Sequence, residues 1–248
     1  MLNEITQEKQ YWGSHHGDEG PYVHYNEAEY RFIIDLFGKD DLDGKTILEM
    51  GCGMGVWTAN LSKLGAWVYH FDLSPVVVRK ANQFAARDKV RGFCADMNFL
   101  PFQSNNFDFV FGSMVLHHTT HHDNLGRELY RILRPGGKAI FHENSSRNPI
   151  LMLARGKLVG RWGIPKNSSP GEYPLRPGDI AKIGKAFDAT QIYYIRMYFF
   201  QMGVKYLLKR ESGKFYELSS RIDSWIYRWL PLCRPLSYYQ ILEFKKSG

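Results

Sequence analysis

The chain has 248 residues, 44% of them hydrophobic and 15% aromatic, enough to bury a full core, so an intrinsically disordered chain is excluded. Its three cysteines, Cys52, Cys94 and Cys233, form no CxxC pair, which argues against a disulfide framework or a zinc site and makes a reducing compartment the simpler reading. The formal charge of +7 is unevenly placed: residues 151–248 carry 17 Lys and Arg against 7 Asp and Glu, whereas residues 1–150 carry 15 against 18. That asymmetry leaves two readings open, a plain solvated surface or attraction to an acidic substrate, an anionic membrane or nucleic acid.

Residues 1–10 are polar and acidic where a secretory signal would be basic and then apolar, so a cytoplasmic protein is expected. No apolar run approaches bilayer-spanning length; the nearest, residues 192–200, is interrupted by Arg196. Residues 1–44 read as an N-terminal helical lid segment, with helical spacing of Tyr30, Phe32, Ile33 and Leu36 covering one sheet face. Two uses are open for Tyr11, Trp12 and Tyr22: closing over a ligand or ordinary aromatic packing.

From Lys45 to Glu143 short apolar runs alternate with segments of helical period, the pattern of a parallel α/β sheet. Strands are expected at 46–50, 66–71, 90–94, 107–111 and 138–143. Ser74-Pro75 starts a helix, Gly65 ends one, and Arg134-Pro-Gly-Gly137 is expected as a turn before the fifth strand. Residues 188–200 resemble a sixth strand and the alternating 237–244 a seventh, with a helical insertion between them. In that insertion Phe215, Leu218, Ile222, Trp225 and Trp229 recur at steps of three and four, the mark of an amphipathic helix. The expected fold is a Rossmann-like seven-stranded, mostly parallel sheet with helices on both faces and a helical insertion before the last strand. Residues 45–150 are expected to form the core and 151–248 an insertion together with the last two strands.

The chemistry is carried by Glu49-Met-Gly-Cys-Gly-Met-Gly55, a strand end followed by three glycines and a helix, which lets backbone approach a ligand closely. A dinucleotide fingerprint would need a different glycine spacing, and Val56 and Thr58 stand where it would fall. Asp72, 17 residues after Gly55, ends the second strand where a carboxylate can accept from two ribose hydroxyls. Asp96 can accept from an adenine amine while Met97 packs on the ring, and Ser113 closes the fourth strand. In an open sheet these strand ends converge on one crevice.

Together, residues 47–55, 71–74, 95–97, 107–118 and 133–137 resemble the successive motifs of class I S-adenosylmethionine-dependent methyltransferases, in the ubiquinone/menaquinone-biosynthesis-like (methyltransferase type 11) branch. The resemblance covers about residues 45–143. It implies S-adenosyl-L-methionine as cofactor, Glu49 facing the methionine amino group, Gly51 and Gly53 lining its backbone, and Asp72 on the ribose. It also implies Asp96 with Met97 at the adenine. Cys52, Gly55, Leu73 and Ser113 complete the cofactor-binding set.

A methyl sulfonium needs little activation, so positioning supplies much of the catalysis. A hydroxyl acceptor also needs its proton removed, for which His118, His142 and Glu143 are candidates at the ends of the fourth and fifth strands. His117, His118, His121 and His122 have i, i+4 spacing but no HExxH carboxylate, so no metal is expected. Residues 112–115 are Gly-Ser-Met-Val rather than the Asn/Asp-Pro-Pro-Tyr/Phe of base amine methylation, which disfavours nucleic acid, although an RNA methyltransferase or a non-catalytic cofactor-binding protein stays open. Trp162, Tyr173, Phe215, Tyr216, Trp225, Tyr227 and Trp229, with Arg161, Arg176, Arg221 and Arg228 among them, suit a small apolar or aromatic acceptor bearing an anionic group, methylated on oxygen. Two placements are open for the Trp225 helix: packed on the sheet, the simpler one, or lying at a membrane surface to collect a lipid-linked substrate.

Overall fold

The computed structural model describes residues 26–38, 42–161 and 173–248. Tyr11, Trp12, Tyr22 and Trp162 lie outside those residues. Seven strands form one sheet: β1 Thr46–Met50, β2 Trp67–Asp72, β3 Val90–Cys94, β4 Phe107–Ser113, β5 Leu133–Asn144, β6 Ala189–Tyr193 and β7 Tyr239–Lys245. Their order is β3-β2-β1-β4-β5-β7-β6, with only β7 antiparallel to its neighbours.

Strand side chains alternate between two cores, as a period of two requires. Ile47, Phe109, Phe111, Ile140 and Ile241 point to one face, where α1 (Glu27–Phe37) contributes Ile33, Ile34 and Phe37 and α2 (Val56–Lys63) contributes Trp57 and Leu61. Leu48, Met50, Val110, Phe141 and Leu242 point to the other, against Leu125, Leu129 and Ile132 of α4 (His122–Ile132) and Ile180 and Ile183 of α6 (Pro177–Gly184). Between α2 and α4 runs α3 (Pro75–Phe84), started by Ser74 and Pro75 as the sequence suggests, and α5 (Pro149–Leu158) follows β5. α1 begins with a capping box, in which Asn26 Oδ1 accepts from Glu29 N and Glu29 Oε2 from Asn26 N, both at 2.9 Å. Gly38 ends it in the left-handed region, at φ 82°.

Three elements differ from the sequence expectation. Arg134-Pro-Gly-Gly137 is a bulge inside β5 rather than a turn before it: the pairing with β4 passes from Phe107–Leu133 directly to Phe109–Lys138. The bulge is held by Arg134 Nη1, which donates to Asp108 Oδ2 at 2.8 Å and to Thr46 Oγ1 at 3.1 Å. Arg134→Ala is therefore expected to cost about 1 kcal/mol of stability and leave cofactor affinity unchanged, as read by thermal melting and titration calorimetry.

The sixth strand stops at Tyr193 because the next residues are drawn elsewhere. Arg196 Nε donates to Glu29 Oε1 on α1 at 3.0 Å, and the backbone N–H groups of Phe199, Phe200 and Gln201 donate to the Asp223 carboxylate. α7 (Phe200–Leu207) begins at the last residue of the expected strand. The third difference is the rotation of α8 (Lys214–Trp229), which buries Ser219 and Asp223. Phe215, Leu218, Ile222, Trp225 and Trp229 face outward instead of packing on the sheet. No helix among the described residues is long and apolar enough to cross a membrane.

Candidate functional site

Because the strand order is β3-β2-β1-β4, the carboxyl ends of these four strands place Asp96, Asp72, Glu49 and Ser113 along one edge of the sheet. The turn after β1 is closed by a bond from Gly55 N to Cys52 O at 2.9 Å, and Cys52 N donates to Phe71 O at 3.0 Å. Gly51, Gly53 and Gly55 all adopt positive φ, which excludes ordinary side chains there. Their surroundings, however, separate their roles. A Cβ on Gly51 would lie 2.7 Å from Val115 Cγ2, and one on Gly55 would lie 3.0 Å from Ala81 Cα on α3, so these two glycines serve packing. A Cβ on Gly53 would meet nothing within 4 Å, so the space a ligand can enter opens there.

Glu49 is buried and accepts from Thr58 Oγ1 at 2.5 Å. Burial pushes its carboxyl up to about 8, with the Thr58 bond opposing and the nearby Asp72 charge adding to the rise. Buried Cys52 stays a thiol, since burial first, then Asp72 and Glu49, raise it well above its ordinary range. Asp72, half-buried, accepts from Gly53 N at 3.3 Å and Ser74 N at 3.1 Å, which aims its carboxylate across the glycine turn. Leu73 beside it is half-buried as well. Asp96 Oδ1 accepts from Asn98 N and Nδ2 at 2.9 and 2.8 Å, while Met97 packs against the core that holds Phe93 and Phe102. Three carboxylates and an open glycine turn on one edge fit an adenosyl amino-acid cofactor, whose ammonium, ribose and exocyclic amine are all donors.

The three acid–base candidates occupy different environments. Glu143 is fully buried and accepts from Val115 N at 2.7 Å and Leu116 N at 2.6 Å, with His117 Nδ1 at 2.7 Å from its other oxygen. It ties the segment after β4 to the end of β5. His142 is also fully buried, 3.4 Å from Ser113 Oγ and beside the Tyr239 ring, and burial lowers its pKa so that it is neutral at pH 7. His118 is half-buried in the short turn Leu116–His118, its ring centroid 4.2 Å from that of the His117 that Glu143 holds and tilted 37° to it.

Sequence reasoning passed over Thr58, Glu29 and the Arg196 cluster. Arg196 lies 4.6 Å from the Tyr198 ring centroid and 5.4 Å from that of Tyr239, forming an aromatic and cationic wall beyond His142. One signal was available, the charge that interrupts the apolar run 192–200. Of the basic insertion residues, Arg176 instead lies over Tyr173, and Arg221 and Arg228 lie on the exposed side of α8.

Residues 48–141 match the family model described as a methyltransferase domain. That segment is therefore a methyltransferase domain, set in a sheet with the Rossmann-like class I strand order. S-adenosylmethionine is the cofactor of that family. Among curated relatives, this chain is 37% identical over 100 residues to a biotin biosynthesis bifunctional protein of Cellvibrio japonicus, covering 40% of this chain and 19% of the relative. It is 26% identical over 180 residues to a ubiquinone biosynthesis O-methyltransferase of Aeromonas salmonicida, covering 71% and 74%. The chain thus spans less than a fifth of the bifunctional relative but about three quarters of the O-methyltransferase. Its fold is similar to that of a Haemonchus contortus phosphoethanolamine N-methyltransferase solved with S-adenosylhomocysteine, with TM-score 0.60 and 17% identity over 98% of this chain and 57% of the other.

Proposed function

We propose that this protein methylates an oxygen of a small apolar or aromatic acceptor bearing an anionic group. The observation that carries this reading is the wall built by Arg196, Tyr198 and Tyr239 next to Ser113 and His142, where the ends of β4 and β5 meet the start of β7. Aromatic rings there suit a planar acceptor, and the guanidinium suits an anionic substituent. The likeness to a ubiquinone biosynthesis O-methyltransferase over 180 residues, more than the matched domain alone spans, supports oxygen as the target.

When bound, the cofactor supplies an electrophilic methyl group. On this reading Glu49 faces the ammonium of the cofactor, the backbone at Gly51 and Gly53 its amino-acid part, Asp72 the ribose hydroxyls, and Asp96 with Met97 the adenine. Cys52, Gly55 and Leu73 shape that wall, and Ser113 borders the acceptor. His118 takes the hydroxyl proton of the acceptor, since it is the half-exposed candidate. Glu143 acts through the turn it holds rather than on the acceptor, and His142, neutral and enclosed, orients Ser113. A soluble cytoplasmic setting and a division into residues 1–44, 45–150 and 151–248 go with this reading.

The experiment is a screen of quinols, phenols, hydroxylated lipids and sugars with methyl-labelled cofactor. A labelled methyl ether is the expected product; label on nitrogen or carbon, or none despite tight S-adenosylhomocysteine binding, would reject the reading. His118→Ala should lower turnover at least about 100-fold with cofactor affinity unchanged. Normal turnover would remove His118 from the proton transfer.

A further inference from the structure

α8 is built with its polar side inward. At about 100° per residue, Phe215, Leu218, Ile222, Trp225 and Trp229 fall within an arc of roughly 80°. All five are exposed, the two tryptophans by 57% and 61%. Along one flank of that arc lie Lys214, Arg221 and Arg228, seven residues apart and exposed, with Glu217 beyond them. Arg210 stands over the Phe215 ring and Arg228 over that of Trp229. Further apolar side chains are exposed on either side of the helix in the chain, Leu207 and Leu208 at the end of α7 and Leu232, 93% exposed, in the turn that follows α8.

The rotation of the helix is not free to change. Asp223 is buried and accepts from three consecutive backbone N–H groups at the start of α7, at 3.2, 3.1 and 2.9 Å from Phe199, Phe200 and Gln201. Tyr227, on the same side, donates to Tyr194 O at 2.8 Å, and Arg234 donates to Tyr227 O at 2.9 Å. Turning the stripe inward would break all of these and strand a buried carboxylate. The exposed stripe is therefore a built feature of the fold.

We infer that this face docks on a membrane of anionic phospholipid, with α8 lying in the interface. Charge decides the occupant. Between Phe200 and Arg234 there are seven Lys or Arg against three acids, one of them the enclosed Asp223. A second copy of this chain would bring the same positive charge against itself, whereas an anionic bilayer accepts the tryptophans and leucines in its boundary and the arginines at its phosphates. The docking needs neither cofactor nor acceptor, so it stands or falls apart from the methyl-transfer reading.

The test is flotation of the full chain with vesicles of mixed phosphatidylglycerol and phosphatidylcholine, and with phosphatidylcholine alone. Binding to the anionic vesicles is expected, with a blue shift of tryptophan emission and weakening by salt. Trp225→Ser with Trp229→Ser should reduce it about tenfold or more, and Arg221→Gln or Arg228→Gln about fivefold each. S-adenosylhomocysteine affinity and melting temperature should stay at parent values in all of them, because the replaced side chains are exposed. Absence of vesicle binding, or binding indifferent to the tryptophan substitutions, overturns the proposal. So does a dimer that those substitutions dissolve in the absence of vesicle binding, which would make a second copy the occupant.

Discussion

Asp72→Ala is expected to weaken S-adenosylhomocysteine binding by about 100-fold, since a carboxylate that accepts from two ribose hydroxyls contributes two charge-assisted hydrogen bonds, each about 1.5–3 kcal/mol. The same carboxylate accepts from Gly53 N and Ser74 N, so part of the loss comes from a glycine turn no longer pinned to the end of β2. Gly53 is half-buried and Ser74 buried, so the stability cost is expected at about 1–3 kcal/mol, which thermal melting of the variant reads separately from the loss of affinity. Asp72→Asn, which keeps one acceptor oxygen, should fall between the two. Titration calorimetry decides: parent-like affinity in Asp72→Ala removes the ribose role.

Cofactor affinity should also rise with pH up to about 8, and the cause is Glu49. In the free protein its carboxyl is pushed up to about 8, chiefly by burial. It therefore carries a proton at pH 7. A ligand ammonium placed against it favours the ionised form, so binding expels that proton. Affinity then gains up to about tenfold per pH unit below 8 and levels off above, where Glu49 is already ionised and the ligand amine begins to lose its own charge. Calorimetry in buffers of different ionisation enthalpy should show close to one proton released near pH 7, and Glu49→Gln should abolish the release. Binding without proton release would mean that no cation faces Glu49.

The stability of the free protein carries the opposite sign. A carboxyl raised in the folded state contributes stability that is fully present below its ordinary range and is lost as pH rises through 8. Free protein should accordingly melt earlier above pH 8 than below it. Bound cofactor should remove most of that loss.

Much of the proposed cofactor edge was legible in the sequence because its parts are local. Glu49, Gly53 and Asp72 sit at strand ends that apolar runs and turn residues announce by themselves, and Ser74-Pro75 caps a helix through contacts within one turn. Even so, the glycines are not equivalent. Gly51 and Gly55 are set by Val115 and Ala81, which lie 64 and 26 residues away, and no local pattern separates them from Gly53.

The proposed acceptor side was less legible, for the same physical reason turned around. Glu29 and Arg196 are 167 residues apart, and their pairing, with the rings of Tyr198 and Tyr239, exists only once α1 crosses the sheet near the end of β6. Glu143 has the composition of a general base at a strand end; three donors from the segment after β4 make it an anchor for that segment.

By itself the sequence determined the sheet, the glycine turn and the class of cofactor, because strand periodicity, capping and close backbone approach are written in neighbouring residues. It also determined that Phe215, Leu218, Ile222, Trp225 and Trp229 share one helix face. Which way that face points was decided only by tertiary structure. Three amides at the start of α7 need a carboxylate, Asp223 supplies it from the opposite side of α8, and the apolar stripe is turned to the outside.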